Sequence, residues 1–255
     1  MKKTAFLLVS LLVIAPVASG DNHDNGDPMA ARIATQQQAD DRHEFDFRRD
    51  EARKPYELFR FLGLKEGMVA LDVGAYAGYT TEMLSAAVGS EGKVYSHNTE
   101  KVLKTYAEGY YERTMTERLA NDRLPNVVLY LREYDDLGLD NEVDVAFLGN
   151  LLHDFYYRDG KENALAFLRS IYAALKPGGV LGVMDHVGLE DADNARLHRM
   201  SPALARDLLH KAGFAIDAES QLFANPDDDY SLMVYNDAVY LKTDRFLFRA
   251  RKPVD

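Results

Sequence analysis

Two pairs of adjacent His and Asp residues follow apolar stretches in the second half of the sequence. His153 and Asp154 come shortly after the apolar stretch Val143–Leu148, and Asp185 and His186 directly end a later one. A histidine in such a place can act as a general base, because its pKa lies near neutral pH and it can take a proton from an attacking oxygen or nitrogen. These four residues are therefore the predicted catalytic residues.

The same side chains, together with His198, allow a second kind of chemistry. Imidazole and carboxylate groups are suitable ligands for zinc or iron. The sequence contains no diagnostic pair such as His-Glu-x-x-His, so no metal site is assigned. Asp227, Asp228 and Asp229 lack the spacing of an EF-hand, and a solvated acidic loop is expected there. A His and carboxylate metal site stays open as an alternative to proton transfer.

The stretch LDVGAYAGYT, residues 71–80, predicts a strand that runs into a glycine turn and then a helix. Gly74 and Gly78 have no Cβ, so a ligand can approach the backbone closely there. The dinucleotide pattern Gly-x-Gly-x-x-Gly is not matched, because Tyr76 stands where its second glycine belongs. A pyrophosphate cradle is therefore not supported, and a tight turn without a ligand stays open.

Apolar strands and amphipathic helices alternate along most of the chain, which predicts a mostly parallel sheet covered by helices on both faces. A single long helix is predicted over Glu100–Leu119. After Phe214 the strand-like segments come without a long helix between them, so the last two strands are predicted to form an antiparallel edge. In such a sheet, ligands lie at the carboxyl ends of the strands. The predicted strands are Val69–Val73, Lys93–Ser96, Val127–Leu131, Val143–Leu148, Val180–Met184, Phe214–Ser220 and Arg245–Arg251.

The N-terminus has a short basic start, an apolar run and then small residues, the three-part pattern of a secretory signal. The run is shorter than the ~20 apolar residues of a comfortable membrane span. Residues 1–20 are predicted to be a signal peptide cleaved near Ser19 or Gly20, with an uncleaved anchor as the alternative. The mature chain, predicted to be periplasmic or secreted with no stable membrane span, divides into a leader and helical segment, 21–62, and one domain, 63–255.

The composition excludes cysteine chemistry and argues against nucleic acid as a partner. The 255 residues include no cysteine, which excludes thiol nucleophiles, disulfides and thiolate metal sites. The formal net charge of −11 argues against nucleic acid, since phosphate binding needs clustered Lys and Arg. The expected partner is a small molecule, and the oligomeric state is not determined by the sequence. Aromatic residues that can line a pocket for it are Tyr106, Tyr110, Tyr111, Phe155, Tyr156 and Tyr157.

Several stretches are similar to a known family. Residues 68–80, MVALDVGAYAGYT, resemble the first motif of class I S-adenosylmethionine-dependent methyltransferases, with Tyr76 in place of a glycine. LKPGG at 175–179 and NLLHDF at 150–155 resemble segments next to the fifth and fourth strands of these enzymes. A closer resemblance is to a group of predicted methyltransferases from proteobacteria, many of which carry signal peptides. It rests on the stretches quoted above together with NPDDD and TDRFLFRARKP.

The resemblance implies a Rossmann-like methyltransferase fold with a seven-stranded, doubly wound sheet, and S-adenosylmethionine as cofactor. It implies methyl transfer to an unknown small molecule. The alternative is an exported protein of this fold that binds another ligand or a metal and transfers no methyl group; a partner-binding domain is a third hypothesis. Asn98 takes the place of the family's ribose-binding acid. The cofactor-binding residues implied by the resemblance are Asp72, Gly74, Tyr76, Gly78, Asn98 and, near the adenine, Asp135.

Overall fold

A computed structural model describes residues 26–254. The predicted signal peptide, with its cleavage near Ser19 or Gly20, lies outside these residues. Within the described range, every helix is too short or too polar to cross a membrane.

Seven strands form one sheet in the order β3-β2-β1-β4-β5-β7-β6. The first five are parallel, and β7 runs antiparallel to both of its neighbours, β5 and β6. The predicted fold class, with its antiparallel C-terminal edge, is therefore confirmed. The strands are β1 Val69–Val73, β2 Lys93–Asn98, β3 Val127–Leu131, β4 Val143–Gly149, β5 Leu175–His186, β6 Ala215–Ser220 and β7 Arg245–Arg251.

Helices cover both faces of the sheet, because the central strands are apolar on both sides. Helices α7, α8 and α10 pack on one face, and α1, α3 and α4 pack on the other. The described part of the predicted leader, residues 26–62, thus belongs to the core through α1 and α3. The helices are α1 Pro28–Gln37, α2 Phe47–Arg53, α3 Pro55–Leu62, α4 Tyr79–Val88, α5 Glu100–Thr105, α6 Tyr110–Leu119, α7 Leu152–Asp159, α8 Lys161–Ala174, α9 Asn194–Leu197 and α10 Pro202–Lys211.

The single helix predicted over Glu100–Leu119 is wrong. The chain leaves the helix after α5 and starts α6 in a new direction, because Ala107, Glu108 and Gly109 have φ values of 49°, 53° and 74°. Left-handed backbone cannot continue a right-handed helix. The amphipathic pattern of the two helices runs through this break, so periodicity did not reveal it.

The segment between β6 and β7 contains no regular strand or helix and packs against the residues that follow β5, where the Val187 N–H donates to the Asp244 carbonyl at 2.9 Å. The backbone N–H of Val234 donates to the Leu197 carbonyl at 3.3 Å, which ties this segment to α9. The segment therefore lies over the same edge of the sheet as the predicted catalytic residues.

Candidate functional site

His153 and Asp185 form a buried pair where β4 and β5 end. His153 is the second residue of α7, and its Nδ1 lies 2.7 Å from Asp185 Oδ1. Its backbone N–H donates to Asp185 Oδ2 at 3.0 Å, so the carboxylate also satisfies a free amide at the start of the helix. A carboxylate only accepts hydrogen bonds, so Nδ1 carries a proton, and in the neutral ring Nε2 presents its lone pair away from Asp185.

The pair is held as an ion pair or a strong hydrogen bond. Burial lowers the pKa of His153, but the carboxylates of Asp185 and Asp154 together outweigh burial, and the pKa of the imidazole is raised. Burial raises the pKa of Asp185, but His153 outweighs it in turn, and this pKa is lowered. His153 is therefore a stronger base than an ordinary histidine.

Two further side chains face His153 Nε2. Asp154 Oδ1 lies 3.4 Å from it and His198 Nδ1 also lies 3.4 Å from it. His198 Nδ1 and Asp154 Oδ1 are 3.2 Å apart. We call these three residues the His153 cluster. The structure thus brings together His153, Asp154, Asp185 and His198.

His198 is fixed by its neighbour in the chain. Arg199 is fully buried and forms two parallel bonds with Asp228, at 2.8 and 3.0 Å. It also donates to the Val187 carbonyl at 3.0 Å. His198 itself has a left-handed backbone (φ 54°), and this geometry aims its ring at His153. The prediction of a solvated acidic loop at 227–229 is therefore wrong for Asp228, which is buried in this ion pair, whereas Asp227 and Asp229 are exposed.

The predicted catalytic residue His186 lies beside the cluster without joining it. Its ring centre is 6.2 Å from that of His153, and its Nδ1 lies 2.7 Å from Thr243 Oγ1. Burial lowers the pKa of His186 to about 3, although Asp185 acts in the opposite direction. His186 is therefore neutral at ordinary pH and supports the end of β5.

The turn after β1 has the backbone that a glycine motif would adopt. Gly74 and Gly78 have φ values of 67° and 81°, and Tyr76 also lies in the left-handed region at 50°. That region is strained for a tyrosine. The sequence departs from the motif at Tyr76 in its side chain, whereas the backbone keeps the conformation for which glycine is preferred.

The chain's own side chains pack closely against this turn. A Cβ on Gly74 would lie 2.5 Å from Leu151 Cδ2, and one on Gly78 would lie 2.8 Å from Met115 Cε. Both atoms are the ends of flexible side chains that can shift, so it is the positive φ of Gly74 and Gly78 that disfavours any other residue, whether or not a ligand binds. Substitution at either one would disturb the fold, which makes these glycines poor probes of cofactor binding.

The end of β2 holds the turn in place. Asn98 Oδ1 accepts from the Tyr76 N–H at 2.9 Å, and Asn98 Nδ2 donates to the Tyr76 carbonyl at 3.3 Å. His97 Nε2 donates to the Arg132 carbonyl at 3.0 Å, and burial lowers the pKa of His97 to about 4. Asn98, predicted to bind the ribose, thus has the turn's backbone as its partner in this structure.

The two predicted cofactor-binding acids lie on either side of this region. Asp72 is buried and accepts from Thr81 Oγ1 at 2.7 Å; burial raises the pKa of Asp72 to about 6, despite that hydrogen bond. Because Thr81 lies in α4, this hydrogen bond joins the end of β1 to the helix that follows the turn. Asp135 is exposed and lines an open hollow with Asp136 and Arg169.

Aromatic side chains pack around the turn after β1. The ring centre of Tyr76 lies 5.1 Å from that of Tyr111. Tyr76 is half-buried, and burial raises the pKa of its hydroxyl, with Tyr134 and Asp154 adding to the effect. Of the other aromatic residues predicted to line a pocket, Phe155 belongs to the core.

Asn150 is a candidate that the sequence reading missed. It follows β4 with a left-handed backbone (φ 55°), and its N–H donates to the Met184 carbonyl at 2.7 Å. Its side-chain oxygen is buried, and none of the described residues 26–254 donates to it. A buried acceptor without a donor costs free energy, which suits a ligand that brings one. The available clue was the Gly-Asn pair after an apolar strand, since Asn tolerates this backbone.

Residues 56–128 match the family described as protein-L-isoaspartate(D-aspartate) O-methyltransferase. This range covers less than half of the chain and contains β1, the glycine turn and β2. No curated protein matches the sequence.

Solved structures match most of the chain. A SAM dependent methyltransferase from Aquifex aeolicus is 22% identical with a TM-score of 0.59, covering 89% of this chain and 98% of its own. The [4+2]-cyclase SpnF is 18% identical with a TM-score of 0.60, and the match covers 89% of this chain and 94% of the cyclase. A possible exported protein from Bordetella parapertussis is 15% identical with a TM-score of 0.52, covering 79% and 67%.

The chain has the class I methyltransferase fold. Identities this low concern the fold alone, and a cyclase among these structures illustrates that the fold does not fix the reaction. A function for this chain has to be argued from its own site.

Proposed function

We propose that this protein is an S-adenosylmethionine-dependent methyltransferase that acts on a small molecule. The observation that carries the proposal is the His153–Asp185 pair, which lies at the carboxyl ends of β4 and β5 in a fold shared with such enzymes. That edge is where ligands bind in open α/β sheets. The family match over β1 and the glycine turn supports the same reading.

The residues present fit the methionine end of this cofactor. The turn keeps the left-handed backbone of a glycine motif at Gly74, Tyr76 and Gly78. The unpaired oxygen of Asn150 is a buried acceptor at the neighbouring strand end, and the cofactor's charged amino group is a donor of the kind it lacks. We therefore assign the turn and Asn150 to cofactor binding. At the end of β2, Asn98 stands in place of the family's ribose-binding acid and its amide is bonded to the Tyr76 backbone, so we expect modest affinity.

When bound, S-adenosylmethionine supplies an electrophilic methyl group. The chain's own part is to prepare the acceptor. His153 Nε2 takes the proton from the acceptor's oxygen or nitrogen, while Asp185 fixes the ring through Nδ1 and stabilises the imidazolium that forms. The neighbouring Asp154 carboxylate favours the same charge.

The surroundings favour a small aromatic or apolar acceptor. Tyr76 packs on Tyr111 beside the turn, and the ring of Tyr235 lies 5.1 Å from that of His198 in the cluster. Aromatic rings pack well against flat apolar groups. The formal charge of −11 disfavours an anionic polymer as the acceptor.

Export is part of this proposal. It rests on the pattern of residues 1–20, and one structural relative is itself described as a possible exported protein. N-terminal sequencing of the protein from the producing cell should give a chain that starts near Ser19 or Gly20. Retention of Met1 in that protein would remove export from the proposal.

The activity is tested by following S-adenosylhomocysteine release from the purified protein with a panel of small phenols, catechols and amines. We expect release that depends on one class of acceptor, with a methylated product of matching mass. If the protein binds the cofactor but no acceptor is methylated, the alternative of a non-transferring protein of this fold gains support.

A further inference from the structure

We propose that the His153 cluster is a binding site for a divalent metal ion, and that zinc fits it best. The ligand atoms are His153 Nε2, Asp154 Oδ1 and His198 Nδ1, which lie close together in the structure. This inference goes beyond methyl transfer and does not depend on it, since metal binding can be measured without cofactor or acceptor.

The spacing of the three atoms is that of a tetrahedral site. The distances are 3.4, 3.4 and 3.2 Å. Zinc binds imidazole nitrogen and carboxylate oxygen at about 2.0–2.2 Å, and two ligands of a tetrahedron are then about 3.3 Å apart. An octahedral ion with bonds of about 2.1 Å would bring neighbouring ligands to about 3.0 Å. The three atoms form one face of the tetrahedron, and its fourth corner stays open, as in catalytic zinc sites.

The charges around the cluster also call for a cation. His153 Nδ1 is committed to Asp185, so Nε2 is the ring atom that faces Asp154 Oδ1, at 3.4 Å. The two carboxylates balance the charge of a divalent ion. Arg158 is the cation nearby on α7, and it is already bonded to Asp159 at 2.6 and 2.9 Å.

The ligands are held before any ion arrives. Asp185 orients the His153 ring from behind, the outer-shell arrangement that metal-binding histidines use. Arg199 and Asp228 fix the backbone beside His198. The side chain of His198 is 33% exposed, which leaves a path for an ion. Binding therefore requires little rearrangement.

An ion on Nε2 occupies the atom that takes up the proton in the proposed reaction. Zinc and general-base catalysis therefore exclude each other at His153. If the methyltransferase proposal holds, a chelator should leave the rate unchanged or raise it, and saturating zinc should lower it.

Calorimetric titration of chelator-treated, tag-free protein with Zn²⁺ tests the site. We expect one ion per chain with a dissociation constant of about 1 µM or lower. His198→Asn and Asp154→Asn should each weaken binding by more than about 100-fold, since loss of an outer-shell partner alone costs about 10- to 100-fold. Asparagine tolerates the left-handed backbone at position 198, so that variant should fold. His210→Asn, at an exposed histidine on α10, is the matched control and should bind as the wild type does.

Co²⁺ offers a second measurement, because a four-coordinate cobalt ion absorbs visible light much more strongly than a six-coordinate one. The strong spectrum should appear in the wild type and disappear in both cluster variants. The proposal would be overturned if no zinc bound at a protein concentration 100-fold above the expected dissociation constant. It would also be overturned if folded His198→Asn and Asp154→Asn proteins bound zinc as tightly as the wild type.

Discussion

His153→Asn is expected to lower the rate of methyl transfer by about 100- to 10,000-fold, the range that a positioned general base contributes. Asparagine can keep the hydrogen bond to Asp185, because its Nδ2 takes the place of the imidazole Nδ1. It has no counterpart of Nε2, the atom that accepts the proton. The measurement is the rate of S-adenosylhomocysteine release with the acceptor found by screening.

Two controls separate loss of the base from loss of the fold. His210→Asn carries the same change at an exposed position and should keep the wild-type rate. S-Adenosylhomocysteine should bind His153→Asn within about threefold of the wild type, because His153 is not among the cofactor-binding residues. A variant that binds the cofactor and still transfers methyl groups at more than a tenth of the normal rate would refute the role of His153.

Asp228→Asn should lower the free energy of unfolding by about 3–5 kcal/mol, which is the cost of removing one partner of a buried ion pair. Arg199 is fully buried, and the change leaves its charge without the carboxylate that balances it. Asp228 also accepts the backbone N–H groups of Asp244 and Tyr230, at 2.7 and 3.1 Å. Chemical unfolding of both proteins at neutral pH gives the difference.

Asp227→Asn is the matched control, since this neighbouring acid is exposed and should change stability by less than about 0.5 kcal/mol. Loosening Arg199 should also free the backbone of His198. Equal stability of the Asp228 and Asp227 variants would mean that the buried pair is not the anchor of this segment.

Much of the fold follows from local sequence. Strand β1 is a short apolar run because it is covered on both faces, and the two ends of β4 and β5 could be placed together because parallel strands end at one edge. The break at 107–109 could not be predicted in this way. Ala107 and Glu108 are ordinary helix residues by type, so nothing in their identity signals the left-handed backbone that they adopt.

The sequence predicted which residue types form the candidate site, but it predicted less well which of their side chains meet. The meeting of His153 with Asp185 follows from strand order. The sequence shows His198 and Asp228 only as a histidine and an acid in loops, and it is Arg199 between them that decides where both lie. Asn98 was placed at the correct strand end, but its side chain turns to Tyr76, a contact that depends on the turn's conformation.

Calorimetric titration of the purified protein with S-adenosylhomocysteine tests the central claim most directly. We expect one site per chain with a micromolar dissociation constant. Asn150→Gly should weaken the binding of S-adenosylhomocysteine about 10- to 100-fold, because a hydrogen bond to the charged amino group is lost. Glycine keeps the left-handed backbone at position 150, so the variant should fold. The absence of heat and of any thermal shift up to millimolar cofactor would contradict the claim and leave a methyltransferase fold with a different ligand.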